Sequence, residues 1–441
     1  MVQKLIYRDY DDFFVVYSPE SKNYLLIEDI FSEFFRIKYV EQMSDTEIVQ
    51  SIADEYLVDK NTVHLDLLKF NNDMNEALKA DTSPSKDVSH NPAVMQHHIF
   101  NRMSDLMIPF SAAIEITDTC NLNCVHCYRG VPSPSYWTAA SFRSALDELK
   151  ALGTMNIIIT GGEPFIHPLA ADFLEMTAQL GFVVSVQSNL VLLDDAVIEA
   201  LRKNTVSDVS ISLYSVDEKE HDAITRTSGS MHKTMANIKR LVENNIPVSI
   251  NCPVMSVNQN AMAGICRYAK DLGVDVKFAL KIIPSQNKDK NIEKLNVFSK
   301  NFILAAMYNP EIRLYMNELE NIRISGPKTR YCQTGFRSIT FDAQGNMLIC
   351  NAYRKQCGSL RTSTVKDLWR DSELLNLWRE KTSLIMEKCR MCPAYAYCEP
   401  CPAHSYTQSG DEDSIDELTC LFGKAFYAAD IEYLDRGGEA G

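Results

Sequence analysis

Cys120-Asn121-Leu122-Asn123-Cys124-Val125-His126-Cys127 spaces three thiols as C-x3-C-x2-C. Three thiolates on one tight loop can hold three irons of a four-iron cluster, which leaves the fourth iron without a protein ligand. The loop follows an apolar, strand-like run at residues 112–117. Five more such runs follow, at 156–160, 183–187, 209–213, 248–252 and 276–280. Amphipathic stretches such as 139–152 and 233–244 have helical spacing and separate them. Repeated strand–helix units predict an α/β fold with a parallel sheet, and six of them predict a partial (β/α)6 barrel. Chemistry in such folds gathers at the C-terminal ends of the strands. Those ends carry Gly161-Gly162-Glu163-Pro164, then Gln187-Ser188-Asn189, then Ser212.

The rest of the chain narrows the function. Its 441 residues are 46% hydrophobic and 23% charged, which is a globular composition. A formal net charge of −14 argues against a nucleic-acid partner. No apolar run is long enough to span a membrane, and the N-terminus lacks a signal-peptide pattern, so a cytoplasmic location is expected. The 13 cysteines are odd in number and clustered, which favours metal ligation over a disulfide framework. Cys252 and Cys266 fall on a strand and a helix and are expected to be buried and inert.

Residues 1–80 form a first module. Two strand-like runs, 13–17 and 23–27, precede three helical patterns, and Ser44 with Glu47 makes a capping box for the second. Strands plus three helices suggest a winged-helix-like fold. The module holds 8 Lys and Arg against 16 Asp and Glu, which argues against DNA. Residues 81–105 are expected to be a linker, 106–320 the barrel, and 321–441 a cysteine-rich domain. In the last, Asp342-Ala343-Gln344-Gly345-Asn346 is a hairpin signal leading to Cys350.

C-x3-C-x2-C on the first strand resembles the signature of the radical S-adenosylmethionine (SAM) superfamily. Gly161-Gly162-Glu163 is similar to its GGE motif, and Ser188-Asn189 to its S/T-N-G, with Leu190 in place of the glycine. The resemblance implies a 4Fe–4S cluster on Cys120, Cys124 and Cys127, with SAM on the open iron. One electron passed to the sulfonium would release a 5′-deoxyadenosyl radical. The SAM contacts implied are His126, Gly161, Gly162, Glu163, Ser188, Asn189, Ser212 and Arg226. Glu163 would face the SAM amino group and Arg226 the carboxylate. Thr227 departs from the glycine that often follows such an arginine.

The later cysteines resemble the SPASM domain, which carries two auxiliary clusters. Cys332, twelve residues, Gly345-x4-Cys350, then Cys389-x2-Cys392-x5-Cys398-x2-Cys401 and Cys420 follow its pattern, one residue short before Cys401. The resemblance implies that Cys332, Cys350 and Cys401 hold one 4Fe–4S cluster. Cys389, Cys392, Cys398 and Cys420 would hold the other, making three in all. Cys357 is expected as the fourth ligand of the first. If it stands apart, an open iron would accept a substrate thiolate. Zinc on the two C-x2-C pairs is the competing assignment, although their spacing is short for a zinc ribbon.

Residues 1–80 resemble a PqqD-like recognition element of ribosomally made, post-translationally modified peptides. The implied function is a peptide maturase. It would bind a precursor leader and install a carbon–carbon or thioether cross-link, with flavodoxin or ferredoxin as electron donor. The alternatives are a SPASM enzyme acting on a folded protein, as in sulfatase maturation, and a non-catalytic iron–sulfur redox sensor.

Overall fold

A computed structural model of the chain describes residues 5–79, 92–127, 129, 135–282, 294–297, 299–313, 332–382, 389, 391–398, 400–415 and 417–437. It divides into two compact units, Met1–Phe110 and Ser111–Gly441.

The first unit is built on an antiparallel meander of β1 (Ile6–Asp9), β2 (Phe13–Tyr17) and β3 (Tyr24–Glu28). Every residue of β2 is buried, so both faces of this sheet are covered. Phe14 and Val16 meet α1 (Ile30–Phe35), α2 (Asp45–Tyr56) and α3 (Lys60–Lys79) in one apolar cluster with Phe34, Ile48 and Phe70. The capping box forms as expected, with the Ser44 hydroxyl accepting from the Glu47 N–H and Glu47 accepting from the Ser44 N–H. The opposite face is closed by a helix that the sequence analysis missed, α4 (Pro92–Asp105), inside the expected linker. Ile99 and Met103, one helical turn apart, are fully buried, and Arg102 lies over the Phe13 ring. The polar stretch 81–87 lies outside the described residues.

The second unit holds the six expected strands in sequence order and all parallel. They are β4 (Ser111–Glu115), β5 (Asn156–Thr160), β6 (Val183–Ser188), β7 (Thr205–Ser212), β8 (Val248–Pro253) and β9 (Asp275–Ala279). β4 and β8 are buried along most of their length, whereas β9 at the sheet edge alternates exposed Asp275 and Lys277 with buried Val276 and Phe278. The helices between them are α5 (Ala139–Ala151), α6 (Ala170–Gln179), α7 (Asp195–Lys203), α8 (Glu218–Thr225), α9 (Ser230–Glu243) and α10 (Met262–Leu272). Thr138 and Asp194 cap α5 and α7 by accepting backbone N–H bonds.

The sheet does not stop at β4. β10 (Ser338–Phe341) pairs parallel to it, and β11 (Asn346–Leu348) and β12 (Gln356–Ser359) extend the sheet antiparallel to nine strands. Asp342 shapes the β10–β11 turn by accepting from the Gln344 and Asn346 N–H groups. One apolar core runs from Ile159 and Val186 of the barrel to Phe341, Trp369 and Trp378 of the cysteine-rich region. The partial barrel and that region therefore fold as one body.

Candidate functional site

The loop from Cys120 to Cys127 is tied down on two sides by backbone. Gly162 N donates to Thr117 O at 2.8 Å, and Glu163 N to Thr119 O at 2.9 Å. Contacts this close require glycine. A Cβ on Gly161 would lie 2.4 Å from Thr117 O, and one on Gly162 would lie 2.3 Å from Thr119 O. On the other side, Asn123 N and Val125 N donate to Thr225 O and Ile224 O at the end of α8, at 3.1 and 2.9 Å. The two glycines thus bring the end of β5 against the cysteine loop.

Cys120 and Cys124 both feel the neighbouring thiols of the loop. Burial pushes Cys124 up to about 12, the Tyr214 hydroxyl opposes this, and Cys120 and Cys127 add to it. Cys120 is raised by burial first and also by Glu163 and Cys127. Bound iron reverses that preference, because a coordinating thiol is deprotonated outright.

A cavity of about 400 Å³ opens at the C-terminal ends of the strands, with all three cysteines on its wall. His126, Gly161, Gly162, Ser188, Asn189 and Ser212 line it as well. Two residues expected there do not. Glu163 is fully buried and turns inward, accepting from Ser188 Oγ and Asn189 N at 2.7 Å each and from Phe165 N at 3.1 Å. Burial raises its carboxyl to about 7, against the pull of those donors. Its place in the fold is to lock the end of β5 to the end of β6. Arg226 is exposed, in the left-handed region (φ 54°), just past Thr225.

Leu190, at the position where the resemblance has glycine, also takes φ 63°. The left-handed conformation costs about 1–2 kcal/mol. Full burial of its side chain offsets about as much. Asn237 Nδ2 donates to Leu190 O at 2.8 Å and Thr234 Oγ1 to Asn189 O at 2.9 Å, so α9 holds this turn.

The wall suits a polar ligand. His126 packs edge-on to Tyr214, with centroids 5.0 Å apart, and burial lowers its imidazole to about 4. Among the described residues, its Nδ1 and the Oδ1 of Asn351 are buried without a hydrogen-bond partner, and both residues line the cavity. With three thiols at one end, this wall fits a cluster-bound SAM.

The C-terminal thiols form separate groups. Burial pushes Cys350 up to about 12, and Cys401 and Cys332 both add to it, so these three are neighbours. Cys357 stands apart. It is the extra residue of a β-bulge, since Met347 pairs with Gly358 and Leu348 with Gln356. Burial raises its thiol to about 11, with Ser372 and the Arg379 guanidinium opposing. Cys389 and Cys398 both raise the Tyr395 phenol after burial does. Cys398 Sγ also reaches Thr419 O, beside Cys420, at 3.7 Å. Cys252 and Cys266 are buried, as expected.

Residues 114–269 match the family model described as the Radical SAM superfamily, and residues 332–393 match SPASM, an iron–sulfur cluster-binding domain. The chain is a radical SAM enzyme. An AdoMet-dependent heme synthase of Methanosarcina barkeri is 25% identical over 60% of this chain and 83% of that protein. The subtilosin biosynthesis protein AlbA of Bacillus subtilis is 26% identical, over 57% of each chain. In fold, the chain is similar to Streptococcus suis SuiB bound to precursor peptide SuiA. That likeness has a TM-score of 0.63 and 13% identity, and covers 95% of this chain and 99% of that one.

Sequence reasoning missed the ion pairs that join the radical SAM loop to the SPASM domain. Glu115, buried at the end of β4, accepts two bonds from Arg354, at 2.7 and 2.8 Å. It also pairs with Arg129 at 3.1 Å, and Arg129 reaches Asp118. Gln344 Nε2 donates to Asp118 at 2.8 Å, and Trp137 Nε1 donates to both Glu115 O and Asp342 O. Glu115, Arg129 and Arg354 fall in no motif, and partners 239 positions apart leave no local signal.

Proposed function

We propose that this radical SAM enzyme modifies a ribosomally made precursor peptide. The observation that carries this reading is the fold likeness to SuiB over 95% of the chain, which takes in most of the N-terminal unit. A barrel and SPASM domain alone would serve many substrates. The similarity to AlbA, a bacteriocin biosynthesis protein, supports the same choice. In this reading residues 1–80 are a recognition element that captures the leader by strand addition to a sheet edge. The core peptide enters the cavity.

SAM and its cluster, held by Cys120, Cys124 and Cys127, would supply a 5′-deoxyadenosyl radical for hydrogen abstraction. Neutral His126, Ser212 and the Ser188–Asn189 turn would orient SAM. Arg226 would reach its carboxylate only from outside the cavity wall, and Glu163 would act through Ser188 and Asn189. Cys332, Cys350 and Cys401 would hold one auxiliary cluster, and Cys389, Cys392, Cys398 and Cys420 the other.

The separation of Cys357 from the first set favours an open iron there, and so a thioether from a substrate cysteine. Closing that bond removes one hydrogen from carbon, as an atom, and one from sulfur, as a proton. A cluster held by the auxiliary cysteines would accept the electron left over, and flavodoxin or ferredoxin would carry electrons to and from the protein. Among the described residues no helix is long and apolar enough to cross a membrane. A cytoplasmic site of action belongs to the same proposal.

The test uses full-length protein reconstituted anaerobically with iron and sulfide. It is given SAM, a reductant and the precursor peptide encoded beside its gene. The expected result is 5′-deoxyadenosine together with a peptide lighter by two hydrogens and carrying one fewer free thiol. Deoxyadenosine formed with the peptide unchanged, and a folded protein or porphyrin modified instead, would sink the proposal.

A further inference from the structure

We infer that Asn351 is a specificity-determining residue whose side-chain amide pairs with a backbone amide of the peptide substrate. The inference rests on the peptide reading above and narrows it to one contact.

Asn351 follows Cys350 at the turn between β11 and β12. Backbone bonds hold that turn. Cys350 N donates to Tyr353 O at 3.2 Å, and Ile349 N to Lys355 O at 3.0 Å. Arg354, three residues on, is clamped by the two bonds to Glu115. Asn351 at the tip lines the cavity, and its Oδ1 is buried without a hydrogen-bond partner among the described residues. Leaving a buried acceptor unpaired is costly, so an acceptor kept at the edge of a cavity points to a donor that arrives with a ligand.

Sheet order separates this ligand from SAM. The wall residues expected to meet SAM follow β4, β5, β6 and β7, whereas β11 lies two strands from β4 on the other side. Asn351 therefore borders the part of the cavity left to the second reactant.

The chemistry of the side chain names the partner. A carboxamide carries an acceptor and a donor on one planar head. A peptide bond carries the matching N–H and C=O. A carboxylate would be repelled by the buried acceptor, and an apolar group would leave it unpaired. A neutral amide exchanges no proton with the reactant, so Asn351 holds the peptide and does not react with it. Pinning one backbone amide against a fixed turn sets which carbon of the peptide is presented for hydrogen abstraction.

The test uses anaerobically reconstituted full-length protein, SAM and the precursor peptide. Peptide KM and kcat are measured beside the dissociation constant for SAM. N351A is expected to raise the peptide KM about tenfold, the size of one hydrogen bond with its buried acceptor, without weakening SAM binding. Synthetic precursors with an ester in place of one backbone amide, moved along the core, then locate the partner. At one position the ester should cost the wild type about tenfold and N351A nothing further, the coupling expected of two groups in contact. An unchanged KM in N351A overturns the inference and leaves water as the partner of Oδ1. Weakened SAM binding overturns it in favour of SAM as the partner. Additive losses at every ester position overturn it too. Should N351A lose iron, N351S is put through the same ester scan with the same outcomes. Its hydroxyl suits a turn and is too short to replace the amide. A wild-type enzyme that leaves the precursor unmodified is a different failure, that of the peptide reading itself.

Discussion

The barrel and the SPASM domain gather cysteines in opposite ways. Cys120, Cys124 and Cys127 sit on eight consecutive residues, shaped by backbone bonds to the Gly161–Gly162 segment and to the end of α8. The C-terminal thiols come from a hairpin, a bulged strand, short turns and a final helix. Contiguity makes the first site local and sensitive to a single backbone contact. Assembly makes the second sensitive to whatever holds its segments together. The difference teaches where each site is vulnerable.

Gly162→Ala tests the local side with the largest expected effect. The added Cβ would meet Thr119 O at 2.3 Å and Asp118 O at 2.6 Å, so the cysteine loop must move. SAM cleavage should fall to background, and reconstituted protein should lose about four irons, those of one cubane. The iron of the SPASM domain should stay. Iron analysis and deoxyadenosine assay check this, and loss of all iron would break the contrast.

Arg354→Ala tests the assembled side. It removes the bidentate partner of buried Glu115 and leaves Arg129 as the remaining counter-ion. Breaking one partner out of such a pair costs about 3 kcal/mol. Urea unfolding should show that loss, and weakened iron retention should appear at both sites, because the network joins them. A loss confined to one site would sharpen the contrast by showing that the bridge serves only that side.

Cys357→Ala has the smallest expected effect. The thiol lies with Arg379 and Ser372, so cluster spectra and iron content should not change, and stability should fall by less than about 1 kcal/mol. Altered Mössbauer or pulsed EPR signals of the first auxiliary cluster would make Cys357 its fourth ligand. The thioether proposal would then give way to a carbon–carbon bond.

Much of this was legible in the sequence. Residues 156–160 read Asn-Ile-Ile-Ile-Thr and end at Gly161-Gly162, so both the strand and its functional end are marked locally. What stayed hidden depends on partners distant in sequence. Glu163 looks like a ligand-facing carboxylate until Ser188 and Asn189 are seen to claim it. Cys357 looks like a fourth ligand beside Cys350, and nothing local in the sequence marks the one-residue slip in strand pairing that makes it a bulge residue. In the helix Pro92–Asp105 the buried apolar residues among those described are Ile99 and Met103, too few to stand out from their polar neighbours.

The pairing of β10 with β4 has a consequence for how such enzymes diversify. Hydrogen-bonded neighbours in a sheet lie about 4.8 Å apart however much chain connects them. The hairpin that leads to Cys350 is therefore held at a backbone-set spacing from β4, and side chains around the cavity can change from one descendant to another while that spacing holds.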